Sequence, residues 1–309
     1  MSENIPKITI GIPVYNGEKF IRKRLDNILS QTFQDFEILI YDNSIDITPE
    51  ICKEYALRDK RIQYVHEKDR SGWIQGWINV MKKAKYKYFI LASVDDLWSL
   101  NFLYENINEL EQNTSAVASI GIVEYMHINK EDNENKSSSS SSSPPINRIS
   151  KTCNNIQQKV FRHSFKSFLE AKGTFEKKAE KILRNTWYIH HSGVVRTDVL
   201  KKSIIEKDMF LWDWPLVLNF IKYGDLHMTK TSQYLIYDGD STSRQGIFRL
   251  FESQKIRINE YFFPASTFSF WCIRNVGLKF FIKNLDYFIW LNFIHIVGIL
   301  LAIDHKIRK

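Results

Sequence analysis

The chain has 309 residues, 44% of them apolar, and a formal net charge of +8. That is enough apolar surface for one large core with appendages, and the positive balance favours acidic partners such as nucleotide phosphates or anionic lipid. Cys52, Cys153 and Cys272 lie too far apart for a cysteine-held metal or an even disulfide framework, which fits a reducing compartment; Met1 to Lys7 is polar, so no signal peptide is expected.

Strands and helices alternate through the first 130 residues. Ile8 to Ile12 is a short strand stopped by Pro13, and Glu18 to Leu29 carries Ile21, Leu25, Ile28 and Leu29 at helical spacing. Phe36 to Tyr41, apolar but for Glu37, is a strand ending at Asp42. Thr48-Pro49-Glu50 reads as an N-cap with proline at the first helical position, ahead of Ile51 and Tyr55. Ile62 to Val65 is a third strand and Trp73 to Ala84 a helix. Tyr88 to Ala92 is a fourth strand, followed by a helix with Leu100, Leu103, Ile107 and Leu110. This order predicts an α/β domain with a parallel sheet covered on both faces.

A strand is expected over Ala116 to Ile128, and then the composition changes. Ser137 to Ser143 and Pro144-Pro145 can bury no apolar area and predict a flexible surface loop over residues 131–150. Phe161 to Arg184 reads as a basic helical region, His190 to Arg196 as a strand-like run and Tyr234 to Tyr237 as a strand. Phe210 to Tyr223 reads as a helix in which Pro215 is cheap if the first turn begins near Asp213. Tyr287 to Ile303 holds no formal charge and is flanked by Lys279, Lys283, Lys306, Arg308 and Lys309. Seventeen residues is short for a spanning helix. An interfacial helix is the favoured placement, with a buried core or dimer helix as the plain alternative. The expected divisions are a nucleotide-binding half (residues 1–130), the serine-rich loop (131–150), an acceptor-side half (151–250) and a helical extension (251–309).

In an open α/β sheet ligands bind outside the carboxyl ends of the strands. Here those ends carry Pro13-Val14-Tyr15-Asn16, Asp42-Asn43-Ser44 and Asp95-Asp96. Tyr15 can stack on a base, Asp42 can accept from a base N–H, and two adjacent carboxylates suit ribose and a hard divalent cation. No Gly-x-Gly-x-x-Gly and no Gly-x-x-x-x-Gly-Lys-Ser/Thr occurs, so neither a dinucleotide fingerprint nor a P-loop is present. The plain alternative for Asp95-Asp96 is a solvated turn capping the next helix.

Ile10-Gly11-Ile12-Pro13-Val14-Tyr15-Asn16-Gly17-Glu18, Ile28 to Ile38 with its Gln31-Thr32-Phe33, Tyr41-Asp42-Asn43-Ser44, Gly72 to Asn79 and Asp95-Asp96-Leu97-Trp98 together resemble the family 2 glycosyltransferases of GT-A fold. The resemblance spans about Lys7 to Gln112 and, more loosely, His190 to Ser243. It implies an inverting transferase using a nucleotide-diphosphate sugar of UDP or dTDP type and Mg²⁺ or Mn²⁺. Pro13, Tyr15, Asn16 and Asp42 would bind the nucleotide, with Asp95 on ribose or diphosphate and Asp96 on the metal. Asp213, in Phe210-Leu211-Trp212-Asp213-Trp214-Pro215-Leu216, would be the catalytic base.

Two departures from the family pattern stand out. Ser93 occupies a position that is often acidic in relatives, and Asp238-Gly239-Asp240-Ser241 replaces an Arg-x-His segment; Asp240, Arg244 or Arg249 are possible substitutes. The expected acceptor is a glycan or lipid-linked hydroxyl at the inner face of the cell membrane, with no nucleic acid partner. Two rivals remain open: a nucleotidyltransferase, which would want a glycine-rich basic loop after the first strand, and a non-catalytic nucleotide-sugar-binding scaffold. His190-His191 reads as structural or acceptor-side, Trp73 and Trp77 as core, and Lys166, Lys172, Lys177, Lys178 and Lys181 as a solvated face.

Overall fold

A computed structural model of the chain describes residues 7–67, 73–126, 170–185, 190–206, 209, 211–237, 260, 263–293 and 296. The elements in order are β1 (Ile8–Val14), α1 (Ile21–Leu29), β2 (Phe36–Asp42), α2 (Thr48–Arg58), β3 (Ile62–His66), α3 (Trp73–Lys83), β4 (Tyr88–Leu91), β5 (Leu97–Trp98), α4 (Phe102–Gln112) and β6 (Ala116–Met126). Then follow α5 (Phe175–Asn185), a 3₁₀ turn (His190–Ser192), β7 (Val194–Arg196), α6 (Thr197–Ser203), α7 (Asp213–Phe220), β8 (Asp225–Tyr237), α8 (Ser266–Asn275) and α9 (Leu278–Lys283). A last helix, α10, covers residues 285–293.

The described strands form one eight-stranded sheet in the order β3-β2-β1-β4-β7-β6-β8-β5. β1 lies parallel between β2 and β4, and β2 pairs parallel with β3. β7 runs antiparallel to both β4 and β6, so the expected acceptor-side half shares the sheet of the nucleotide half.

Alternation along β1 explains why both faces need cover. Ile8, Ile10 and Ile12 are fully buried against α1, α2 and α4, through Leu25, Ile28, Ile51, Phe102 and Leu103. The opposite face carries Leu39, Phe89 and Leu91 under Ile78 and Met81 of α3 and the later helices, down to Leu216, Phe268 and Phe288. Gly11 faces that second layer, where a Cβ would stand 2.9 Å from the Phe89 ring. Removing one such side chain, as in Ile10→Ala, costs about 2–5 kcal/mol.

Three boundaries differ from expectation. α1 begins at Ile21, and residues 18–20 form a turn whose Phe20 and Ile21 N–H groups bond the Gly17 carbonyl. Thr48 does not cap α2: Asp46 Oδ1 accepts from Thr48 N (2.9 Å), freeing the Thr48 hydroxyl to accept from Gly17 N at 2.9 Å. The His190–Arg196 run splits, because only Val194–Arg196 finds strand partners. The serine-rich loop, Ile128, residues 161–169 and Asp238 to Ser241, with Asp240, Arg244 and Arg249, lie outside the described residues.

Candidate active site

Strand order reverses between β1 and β4. The chain runs from β1 outward through β2 to β3, then returns to place β4 on the other side of β1. In such a sheet the crevice opens at the carboxyl ends of the two strands flanking that reversal. Here those ends carry Tyr15-Asn16 after β1 and Asp95-Asp96 beyond β4.

The loop after β1 is stitched to the loop after β2. Asn16 takes a left-handed backbone (φ 52°), a region in which asparagine is enriched. Its N–H donates to Ser44 Oγ (2.7 Å), and its Oδ1 accepts from Ile45 N (3.0 Å). Gly17 is a contact point: a Cβ there would lie 2.5 Å from Val14 Cγ2 and 3.2 Å from Val94 Cγ2. Val94 precedes Asp95, so this approach brings the β1 loop against the carboxylate loop. Tyr15 stands 47% exposed at the same rim, and Pro13 lies under Gly76 of α3.

Asp42 closes β2 and is fully buried. Its Oδ1 accepts from Ser44 N at 2.8 Å, while Oδ2 accepts from the Tyr64 hydroxyl at 2.7 Å and lies 3.3 Å from His66 Nδ1. Burial and the neighbouring carboxylate push the Tyr64 phenol well above its ordinary range, so it stays a donor. Tyr64 and His66 alternate along β3, and the register sets them beside Ile40 and Asp42. Sequence reasoning missed this pair: period-two spacing puts both on one face, but only the register shows which aspartate they meet.

The carboxylate pair is built from behind. Asn27 of α1 clamps the Trp98 backbone, donating from Nδ2 to its carbonyl (2.8 Å) and accepting its N–H on Oδ1 (2.9 Å). Gln31 donates to the Ser99 carbonyl (2.9 Å) and accepts from Leu103 N (3.2 Å). Trp98 pairs with Tyr234 across β5 and β8, and the buried Tyr234 hydroxyl donates to Asp96 Oδ2 at 2.8 Å. The Ser192 side chain hydrogen-bonds the same hydroxyl.

Beneath them lies Arg24 of α1, fully buried, its guanidinium 3.8 Å from the Trp98 ring centroid and bonded to Asn27 Oδ1 (3.2 Å). Burial lowers its pKa to about 10, opposed by the fields of Tyr234, Asp96 and Asp95. Arg24, Tyr234 and Ser192 were all invisible to motif reasoning.

Asp213 begins α7. Leu211, two residues earlier, is held at φ 61°, a costly backbone for a non-glycine residue, and this swings the chain into the helix. Trp212 is pinned by its indole N–H on the Ile205 carbonyl (2.7 Å). Its ring meets Trp77 of α3 edge-on at 6.3 Å, and Trp77 stacks on His191 at 5.3 Å. His191 neighbours Ser192, which reaches Tyr234 and so Asp96. Asp213 is thus joined to the rim through Trp212, Trp77 and the 3₁₀ turn. Desolvation raises its carboxyl to about pKa 6, against the lowering effect of backbone N–H groups at its own position and at Trp214.

Among the described residues no three His, Cys, Asp or Glu side chains gather to hold an ion by themselves. The oxygen donors of Asp95 and Asp96 suit a hard cation that takes most of its remaining ligands from a diphosphate and water. The residues present therefore fit Mg²⁺ or Mn²⁺ as an ion shared with substrate.

The fold is that of a GT-A scaffold, and sequence comparison gives its family. The family model Glycosyl transferase family 2 matches residues 9–202, more than half of the chain. The chain belongs to that family and is a glycosyltransferase. Among its relatives, glycosyltransferase GlyA of Streptococcus pneumoniae serotype 4 is 32% identical over 130 residues, which is 41% of this chain and 18% of that protein. Glycosyltransferase EpsJ of Bacillus subtilis is 34% identical over 119 residues, 38% of this chain and 34% of its own. The match thus spans about a third or less of these relatives.

Two solved structures share the fold. S. aureus TarS with UDP-GlcNAc has a TM-score of 0.54 at 16% identity, covering 76% of this chain and 59% of that one. A Pyrobaculum calidifontis mannosyltransferase with GDP-Man and Mn²⁺ has a TM-score of 0.52 at 15% identity, covering 78% and 60%.

Proposed function

We propose that the enzyme moves a sugar from a UDP- or dTDP-type donor to a hydroxyl of a glycan or lipid-linked acceptor, with inversion, in polysaccharide synthesis at the inner face of the cell membrane. Residues 1–130 form the donor half and 151–250 the acceptor half of one catalytic domain. Tyr15 stacks on the base, while Asp42 with Tyr64 and His66 forms the base end of the pocket. Pro13 and Asn16 shape its floor, and Asp95 takes ribose or diphosphate. A divalent Mg²⁺ or Mn²⁺ held by Asp96 would supply Lewis-acid neutralisation of charge on the leaving diphosphate.

An acceptor hydroxyl is a poor nucleophile until it loses its proton. Asp213 takes that proton as the oxygen attacks the anomeric carbon, and its pKa of about 6 leaves it ionised near neutrality yet basic enough to accept. The acceptor oxygen attacks opposite the leaving diphosphate, so a single displacement inverts the anomeric centre. Tyr234 holds Asp96 in one rotamer throughout.

The observation that supports this reading is the reversal of strand order between β1 and β4, beyond whose carboxyl ends lie Tyr15-Asn16 and Asp95-Asp96. Asp213→Asn tests it. The variant should lose about 10²–10⁴-fold in kcat while its melting temperature still rises with UDP and Mn²⁺. Unchanged turnover excludes Asp213 as the base; no stabilisation of the wild type by any of UDP, dTDP or GDP, with or without metal, excludes the donor site.

A further inference from the structure

We propose that the outer face of α8, α9 and α10 docks the enzyme on an anionic lipid bilayer. It deepens the transferase reading, on which only its orientation argument rests.

The inner side of α10 belongs to the protein. Phe288 and Leu291 are buried, Tyr287 stacks on Trp214 at 6.1 Å, and Phe268 of α8 packs edge-on to Trp214 at 5.4 Å. The outer side is bare. Leu285, Ile289 and Phe293 recur every four residues, and Ile289 and Phe293 are 63% and 65% exposed. Leu278 and Ile282 repeat that spacing on α9, with Phe270 of α8 also exposed. No helix among the described residues is long and apolar enough to cross a membrane. A helix with one side packed on its domain and the other apolar lies in an interface rather than across it.

Charge selects the occupant. Arg274, Lys279 and Lys283 are exposed among these apolar groups; Lys283 also pairs with Glu180 at 2.7 Å. The one acid in the stretch, Asp286, is held by Arg184 at 2.9 Å. A two-fold contact between copies would bring this basic face against itself, whereas phosphate headgroups neutralise it. The sequence that follows stays uncharged to Ile303 and then carries Lys306, Arg308 and Lys309 against Asp304. Because Trp214 adjoins Asp213, a bilayer on this face lies one helix away from the proposed base, a distance suited to a lipid-linked acceptor.

Co-sedimentation of the full chain with phosphatidylcholine vesicles, with and without phosphatidylglycerol, tests the proposal. The wild type should partition at least tenfold more strongly onto the anionic vesicles. Ile289→Glu with Phe293→Glu should abolish partitioning and leave the melting shift with UDP and Mn²⁺ intact; Lys279→Glu should weaken it several-fold. Brominated lipid should quench fluorescence in the wild type, and less in Trp290→Phe. The proposal is overturned by a wild type that ignores anionic vesicles, by a double variant that still binds them, or by a lipid-free dimer that the double variant dissolves. Nucleotide stabilisation without vesicle binding sinks the docking face alone; vesicle binding without nucleotide stabilisation upholds it and sinks the donor site alone.

Discussion

A guanidinium without water is expensive unless something nearby needs its charge. Arg24 Nε and Nη2 are buried with no hydrogen-bond partner among the described residues, and the fields of Tyr234, Asp96 and Asp95 favour its charge. Arg24 therefore holds down the repulsion between two adjacent acids and weakens their pull on a cation. In Arg24→Met, titration calorimetry should show Mn²⁺ binding several-fold tighter and metal-free UDP binding several-fold weaker. Parallel losses in both would assign Arg24 to packing alone. Asp213 makes the opposite trade. Its folded pKa of about 6 stands above the ordinary 3.8, so the neutral form is favoured by folding. That stabilisation is complete below pH 3.8 and is lost as pH rises through about 6, on the order of 2 kcal/mol after a discount for its partly exposed edge. Chemical denaturation should find Asp213→Asn more stable than wild type at pH 8 and close to it at pH 4, and the wild-type rate should climb through pH 6.

Among the elements, the joint between α1 and β5 decides whether the carboxylate loop keeps its shape. Gln31→Leu would strand the buried Leu103 N–H and the Ser99 carbonyl, a loss of about 1–3 kcal/mol measurable by urea titration, with donor affinity falling alongside. Gln31 was recognisable in the sequence as part of a motif, but its task was not. The same division runs through the fold. β1, β2 and β4 were readable because apolar runs such as Ile38 to Tyr41 have no other home than a doubly covered sheet. β5 has two residues and no period, so nothing in the sequence marked the strand that seats Trp98 over Arg24. Arg24 falls on the apolar face of α1, between Ile21 and Ile28, where a charge breaks the pattern, and nothing in the sequence shows that β5 covers it. Asp42 and the Asp95-Asp96 pair could be singled out as carboxylates at strand ends and Asp213 through the family resemblance; Tyr64, Ser192 and Tyr234 could not, since their contacts arise from strand register and from a 3₁₀ turn that read as strand.

Across the molecule, the C-terminal helices are structural to the site as well as exposed to its surroundings. Phe288 packs on Phe268 at 5.8 Å, which in turn supports Trp214. Phe288→Ala should lower stability by about 3–5 kcal/mol and reduce kcat more than nucleotide affinity, because Phe288 supports Trp214 beside Asp213 through Phe268, whereas β2 and β4 meet the same core layer through α3. Calorimetric melting and steady-state kinetics on one preparation would check both halves of that expectation.

The closeness of Gly17 to Val14 and Val94 has its own consequence. The gap between the loop after β1 and the loop that carries Asp95 and Asp96 is set by a missing methyl group, so the gauge of this groove is written as an absence. Any heavier residue at that spot must wedge the two lips apart, and a ligand spanning them would lose one grip or the other. Bulk added at this meeting of the two loops has to displace one of them.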